Sequence, residues 1–288
     1  MPIFVDNNLS TTPINTTKKV DVAAVLRDKA PKIADKIPAF AINWLRRTIH
    51  EDELNHIYDN YWNLAPQPFI RACFRDWCVS YSIQGLEKLE RDGRYLFVSN
   101  HPFGGMDGLM LIDKLIDYFG DVRVVVNDIL RVVSPLEELW IPVNKHGSQS
   151  AAYARRFEEA FFGDKQILTF PAGLCSRRID GRIQDTEWKQ NFLKKAYASQ
   201  RQIVPIFVEG RLSNFFYNLS NIRKKLGVKA NIEMLWLPDE MFAQHDRHFR
   251  LQVGRPIPLE ELHSVGTLSE QVAYIREKCY NLEKELSK

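Results

Sequence analysis

From residue 94 onward the chain alternates short apolar runs with helix-length amphipathic segments. The runs occupy residues 95–99, 122–127, 139–144, 166–170, 203–208 and 249–253. Between several of them lie helical patterns at 109–119, 149–162, 188–199 and 213–226. A run apolar along its whole length suits a strand buried on both faces, and such strands pair in parallel because helices carry the chain back between them. The pattern predicts an α/β fold with a mostly parallel central sheet flanked by helices. It also predicts a closing amphipathic helix over 268–286. Residues 20–90 read instead as several short helices, with Phe40, Trp44 and Leu45 on one face at helical spacing. The expected organisation is a flexible leader over 1–18, an N-terminal helical region over 19–83 and the α/β domain over 84–288.

Composition removes several function classes. The 288 residues are 45% hydrophobic and 26% charged, with a net charge of only +3. That balance gives no general affinity for nucleic acid, and no nucleic acid partner is expected. Four cysteines, Cys73, Cys78, Cys175 and Cys279, form no C-x-x-C pair, as expected of reduced thiols. No secretory signal is visible near the start, and no apolar stretch is long enough to span a bilayer. The expected location is cytoplasmic, on or off a membrane surface.

The stretch "SNHPFGGMDGL", residues 99–109, follows the first apolar run. His101 therefore stands at the C-terminal end of a strand, where open α/β sheets place their ligands. Pro102, Gly104 and Gly105 force a tight excursion before the next helix, and Asp107 falls near the start of that helix. Such a loop can fold Asp107 against His101. The carboxylate would fix the imidazole tautomer and raise the basicity of the other nitrogen, which suits removal of a hydroxyl proton. The same residue types also serve as a loop brace or helix cap, and residue types alone leave both readings open.

A second stretch, "ILTFPAGLCSRR", residues 167–178, repeats the form: a strand, a Pro-Gly turn, then serine and two arginines. Taken together, the two stretches resemble the lysophospholipid acyltransferase family. That family carries Asn-His-x4-Asp after one strand and Phe-Pro-Glu-Gly after a later one. "LWIPVNK" (139–145), "IVPIFVEG" (203–210) and "VGRPIP" (253–258) are similar to further family blocks, in the same order. There are two departures. Five residues separate His101 from Asp107 where the family has four, and Ala172 stands where the family has glutamate. This variant resembles a bacterial branch, loosely labelled hemolysin-like, with acyltransferases of phospholipid and amino-acid-lipid synthesis.

The resemblance implies an O-acyltransferase. His101 would take the proton of an acceptor hydroxyl, with Asp107 orienting it, and the hydroxyl would attack an acyl thioester directly. Asn100, Gly104, Gly105, Pro171 and Gly173 would line the substrate site. Arg177, helped by Arg178 or Lys145, would hold an anionic headgroup, since a guanidinium fits phosphate or carboxylate. The implied partners are acyl-CoA or acyl carrier protein as co-substrate, a lyso-lipid acceptor (lysophosphatidic acid or a lyso amino-acid lipid) and the membrane surface. No cofactor and no metal are expected. The alternative is a non-catalytic lipid or acyl-carrier binding protein of the same fold.

Two surfaces suit an interfacial role: Phe40, Trp44 and Leu45 beside Arg46 and Arg47, and Phe215, Phe216 and Tyr217 beside Arg223, Lys224 and Lys225. Other chemistries find little support. His245 and His248 have no obvious third metal ligand. The chain lacks the G-x-S-x-G, Walker and G-x-G-x-x-G patterns.

Overall fold

The computed structural model describes residues 19–29, 36–126, 133–142 and 151–286. The expected leader at 1–18 and Lys145 lie outside these residues. In chain order, the N-terminal helices are α1 (Val22–Lys29), α2 (Ala39–Thr48), α3 (Glu51–Tyr61) and α4 (Pro66–Asp76). Strands β1 (Ser80–Gln84) and β2 (Tyr95–Ser99) follow, then α5 (Met106–Phe119), β3 (Val122–Val126), β4 (Trp140–Pro142), α6 (Ala151–Phe162) and β5 (Gln166–Thr169). A hairpin of β6 (Arg177–Ile179) and β7 (Arg182–Gln184) precedes α7 (Asn191–Ser199) and β8 (Gln202–Val208). The chain closes with α8 (Asn214–Lys225), α9 (Leu237–Phe242), β9 (His248–Val253), α10 (Leu259–His263), α11 (Leu268–Asn281) and α12 (Glu283–Leu286).

Among the described residues, seven strands form one sheet in the order β1-β9-β8-β2-β5-β3-β4. Every pairing in it is parallel except β8 with β9. The expected mostly parallel sheet is therefore present. All five residues of β2 are buried, which accounts for the apolar run over residues 95–98 before Ser99. Leu96, Val98, Ile167 and Ile203 from the sheet share one core with Trp188, Leu193, Ile275 and Cys279.

The chain divides into two compact units. The larger joins Ala65–Arg211 to Asp246–Lys288, and the smaller joins the residues up to Leu64 to Leu212–His245. This differs from a division at 83/84. Residues 65–83 go with the sheet because β1 pairs along its length with β9, and because α4 is tied to α5. Arg71 donates to Asp113 at 2.6 Å, and Gln67 to Asp117 at 2.8 Å. The sequence "SYSIQ" of β1 hides this role. As an edge strand it is only half-buried, so it carries no apolar run. His248 faces it, with both ring nitrogens at 2.8 and 3.0 Å from the hydroxyls of Ser80 and Ser82.

In the smaller unit the expected interfacial aromatics divide. Phe40, Trp44 and Phe215 are exposed, whereas Phe216 and Tyr217 are fully buried. Trp236 joins Trp44 and Phe215, with ring centroids 5.7 and 5.5 Å away. Arg223 is buried against Glu233, Nε to Oε2 at 2.8 Å, so it is a core cation and not a surface one. Lys224, Lys225 and Lys229 remain exposed. No helix among the described residues is long and apolar enough to cross a membrane.

Candidate active site

Strands β2, β5 and β8 run parallel and adjacent, so their C-terminal ends open on one edge of the sheet. The segments leaving that edge are 100–105, 170–176 and 209–210. They contain both sequence motifs.

The first segment is held in place before it reaches His101. The Asn100 amide donates to the Val208 carbonyl at 2.9 Å and accepts from the Val208 N–H at 2.7 Å. It extends the ladder between β2 and β8 with a side chain. Asn100, expected among the substrate contacts, therefore braces the loop. Gly104 has φ +77°, in the left-handed region that suits glycine. Gly210 is required for another reason: a Cβ there would lie 2.1 Å from the Phe103 ring.

The turn brings Asp107 back to His101. Asp107 is fully buried in the first turn of α5, where the helix dipole favours an anion. Its Oδ2 accepts from His101 Nδ1 at 3.0 Å and from the Phe103 N–H at 3.0 Å, and its Oδ1 accepts from the Gly108 N–H at 2.9 Å. An ionised carboxylate only accepts, so the pairing puts the imidazole proton on Nδ1 and leaves a lone pair on Nε2. No hydrogen bond engages Nε2 among the described residues. The Phe170 ring stacks on the imidazole at 4.1 Å between centroids. The side chain keeps 15% exposure.

Burial works to lower the His101 pKa, but the charge and hydrogen bond of Asp107 outweigh it and hold the imidazole above its ordinary value. Asp185 pushes the same way and Arg177 opposes. The direction of the shift makes the imidazole a stronger base than the free side chain.

The second segment surrounds His101 from the other side. Pro171 is buried, and Gly173 is exposed in a turn with φ +66°. Ala172, at the position of the family glutamate, is 3% exposed within the apolar core. No carboxylate therefore stands there to meet an acceptor. Gly104 and Gly105 are half-buried, and a Cβ at Gly105 would meet open space.

Arg177 is not a solvated residue after a turn. It is 1% exposed, and its Nη1 donates to the Cys175 and Ser176 carbonyls at 2.8 and 3.2 Å. It still lies close enough to His101 to act on the imidazole electrostatically. Arg178 is half-buried beside it on β6.

Asp185 is a site residue that the sequence reading missed. It is 1% exposed, and its Oδ1 accepts from the His101 backbone N–H at 3.1 Å. The available signal was "IDGRIQDTEW": Asp180-Gly181 is a pair that favours a two-residue hairpin, and a hairpin there returns the chain to the first motif. The actual turn has φ of 49° and 77° at these residues.

Known proteins resemble this chain over nearly its whole length. The family model described as "Acyltransferase" matches residues 24–288. The lyso-glycine lipid O-acyltransferase of Phocaeicola vulgatus is 41% identical over 266 residues, covering 91% of this chain and 95% of its own. The enzyme of the same name from Bacteroides thetaiotaomicron is 40% identical over 264 residues, covering 91% and 97%. Among solved structures, the 1-acyl-sn-glycerophosphate acyltransferase of Thermotoga maritima is similar over 92% of this chain and 97% of its own, at 15% identity and a TM-score of 0.49. With both motifs at one sheet edge, and with relatives at this identity over nearly the whole chain, the protein is an acyltransferase and belongs to the lysophospholipid acyltransferase family.

Proposed function

We propose that this enzyme transfers a fatty acyl group from a thioester, acyl-CoA or acyl carrier protein, to the hydroxyl of a lyso amino-acid lipid. The observation that carries the reading is the His101 Nδ1–Asp107 Oδ2 contact at 3.0 Å, which leaves Nε2 for the acceptor. His101 Nε2 takes the proton from the acceptor hydroxyl. The oxygen attacks the thioester carbonyl carbon and the C–S bond breaks. The imidazolium then returns the proton to the thiolate, so no acyl-enzyme is required. The raised basicity of His101 serves the first of these steps.

Two features favour an amino-acid lipid over lysophosphatidic acid as acceptor. The relatives at 40% and 41% identity are named for a lyso-glycine lipid. The family glutamate is replaced by buried Ala172, which removes a polar contact from the acceptor side. Gly104, Gly105, Pro171 and Gly173 line the acceptor path in this reading. Arg177, with Arg178 or Lys145, supplies positive charge for a carboxylate or phosphate headgroup.

Both reactive partners carry acyl chains, so the enzyme works at the cytoplasmic membrane surface. Phe40, Trp44 and Phe215, exposed in one unit with Lys224, Lys225 and Lys229, have the composition of an interfacial patch on anionic lipid.

Lipid mass spectrometry of cells lacking the gene, complemented by wild type or His101→Ala, tests the reading. The expected result is loss of a diacyl amino-acid lipid with accumulation of its monoacyl precursor, restored by wild type alone. Loss of phosphatidic acid instead would replace the acceptor. Full complementation by His101→Ala would remove the proposed mechanism.

A further inference from the structure

Two buried carboxylates hold His101. Asp107 takes its ring, and Asp185 takes its backbone. The geometry around Asp185 begins with the β6–β7 hairpin, whose register pairs Arg177 with Gln184. Ser176 and Asp185 are the next residues outward on the two strands. Their side chains meet there, Ser176 Oγ donating to Asp185 Oδ1 at 2.6 Å. The same Oδ1 accepts the His101 N–H at 3.1 Å, while the Ser176 N–H donates to the His101 carbonyl at 2.7 Å. Both backbone polar groups of His101 therefore end on the hairpin base. Trp188 Nε1 donates to Asp185 Oδ2 at 2.9 Å. Helix α11 fixes the Asp185 backbone in turn: its N–H donates to Tyr280 Oη at 2.8 Å, and its carbonyl accepts from Arg276 at 3.0 Å.

A neutral amide or carbonyl oxygen would accept the His101 N–H without burying a charge, which is costly unless fully compensated. Here three donors offset part of that cost, while burial still holds the Asp185 carboxyl above its ordinary pKa, and the group sits beside His101. We infer that Asp185 is a positioning residue of the acyl transfer: delivered by the β6–β7 hairpin, its carboxylate fixes the His101 backbone and so sets where Nε2 meets the acceptor hydroxyl. The inference rests on the reading of His101 as the general base. The charged groups that act on His101 are Asp107 and Asp185, which favour the imidazolium, and Arg177, which opposes it. Arg276 and Tyr280 face Asp185 from α11.

The test compares full-length wild type, Asp185→Asn, Ser176→Ala and His101→Ala in steady-state kinetics with pH, in NMR titration of the His101 ring and in thermal unfolding. Asp185→Asn is expected to lower kcat about tenfold with the acceptor KM changed less than about twofold. The acid limb of its pH profile and its ring titration both move to lower pH. Ser176→Ala keeps the charge, so it lowers kcat about threefold without moving the ring titration. A folded Asp185→Asn with wild-type kcat, or with a lower melting temperature but an unmoved ring titration, overturns the inference. If Asp185→Asn does not fold, wild-type kcat in Ser176→Ala overturns it. Undiminished turnover in His101→Ala would sink the base reading instead, and the ring titration of Asp185→Asn would still be readable without turnover.

Discussion

The two units treat large apolar side chains in opposite ways. In the larger unit, among the described residues, Phe162 alone is a large exposed hydrophobic. In the smaller unit Phe40, Trp44, Phe215, Ile222 and Leu226 all stand in solvent. Their buried charges differ as well. The larger unit buries Asp107, Asp185 and Arg177 around one imidazole, and it buries Arg201 against the carbonyls of Ala160, Phe161 and Gly163 at the end of α6. The smaller unit buries Arg223 and Glu233 as a pair. The difference separates two tasks. Chemistry needs a proton acceptor held within tenths of an ångström by many partners, so its unit is closed and polar only where the polarity is used. Recruitment to a lipid surface needs exposed apolar area, so on the reading proposed above its unit is left open on one side.

Four measurements would break or sharpen that contrast. His101→Ala should lower kcat by about 10²–10⁴-fold with unchanged circular dichroism, since it removes a general base from an otherwise complete scaffold. A smaller loss would mean that the closed unit is not organised around this ring.

Glu233→Gln should cost about 3 kcal/mol of stability in denaturant unfolding, because it leaves Arg223 buried without its counter-charge. The pH profile of the surviving activity should not move. If that profile shifts, the division of tasks is wrong.

Asp107→Asn should lower kcat/KM about a hundredfold at neutral pH. It should also change the pH dependence in a defined direction. The base works unprotonated, and Asp107 holds the His101 pKa above its ordinary value. The wild-type rate therefore climbs with pH through that raised pKa and then levels. Without the carboxylate the climb moves to lower pH, so the deficit narrows in acid and widens in alkali. A climb at the wild-type pH would show that Asp107 does not act on the ring.

The smallest effect belongs to the open unit. Phe40→Ser with Trp44→Ser should weaken binding to vesicles containing anionic lipid about tenfold, or about 1.4 kcal/mol. The residual binding should fall further with salt, because Lys224, Lys225 and Lys229 remain. Turnover of a short-chain, water-soluble acceptor should be unchanged. Equal losses on soluble acceptor would move this surface into the chemistry.

Much of the site could be read from the chain because its parts are local. His101 and Asp107 lie six positions apart, and Pro102, Gly104 and Gly105 between them interrupt strand and helix and permit the tight turn that closes the loop. The strands were legible for a related reason: a strand buried on both faces is mostly apolar, so the centres of β2, β5 and β8 stand out from the polar segments around them. β1 gave no such contrast. As a half-buried edge strand its sequence was free to be polar, and only its pairing with β9 defines it.

The sequence by itself therefore determined the α/β class, the places of its central strands along the chain, and a histidine–aspartate pair at a strand end followed by a Pro-Gly turn with two arginines. Local stereochemistry and the period of apolar residues are properties of neighbours in the chain, so they survive without coordinates. Tertiary structure decided the rest. It turned Asn100 toward Val208, buried Arg177 and Arg223, and brought Asp185 to His101 across a sequence separation of 84. Whether a charge is buried, and what a polar side chain bonds, depends on partners far along the chain. A sequence names the groups that can pair, and packing chooses which of them do.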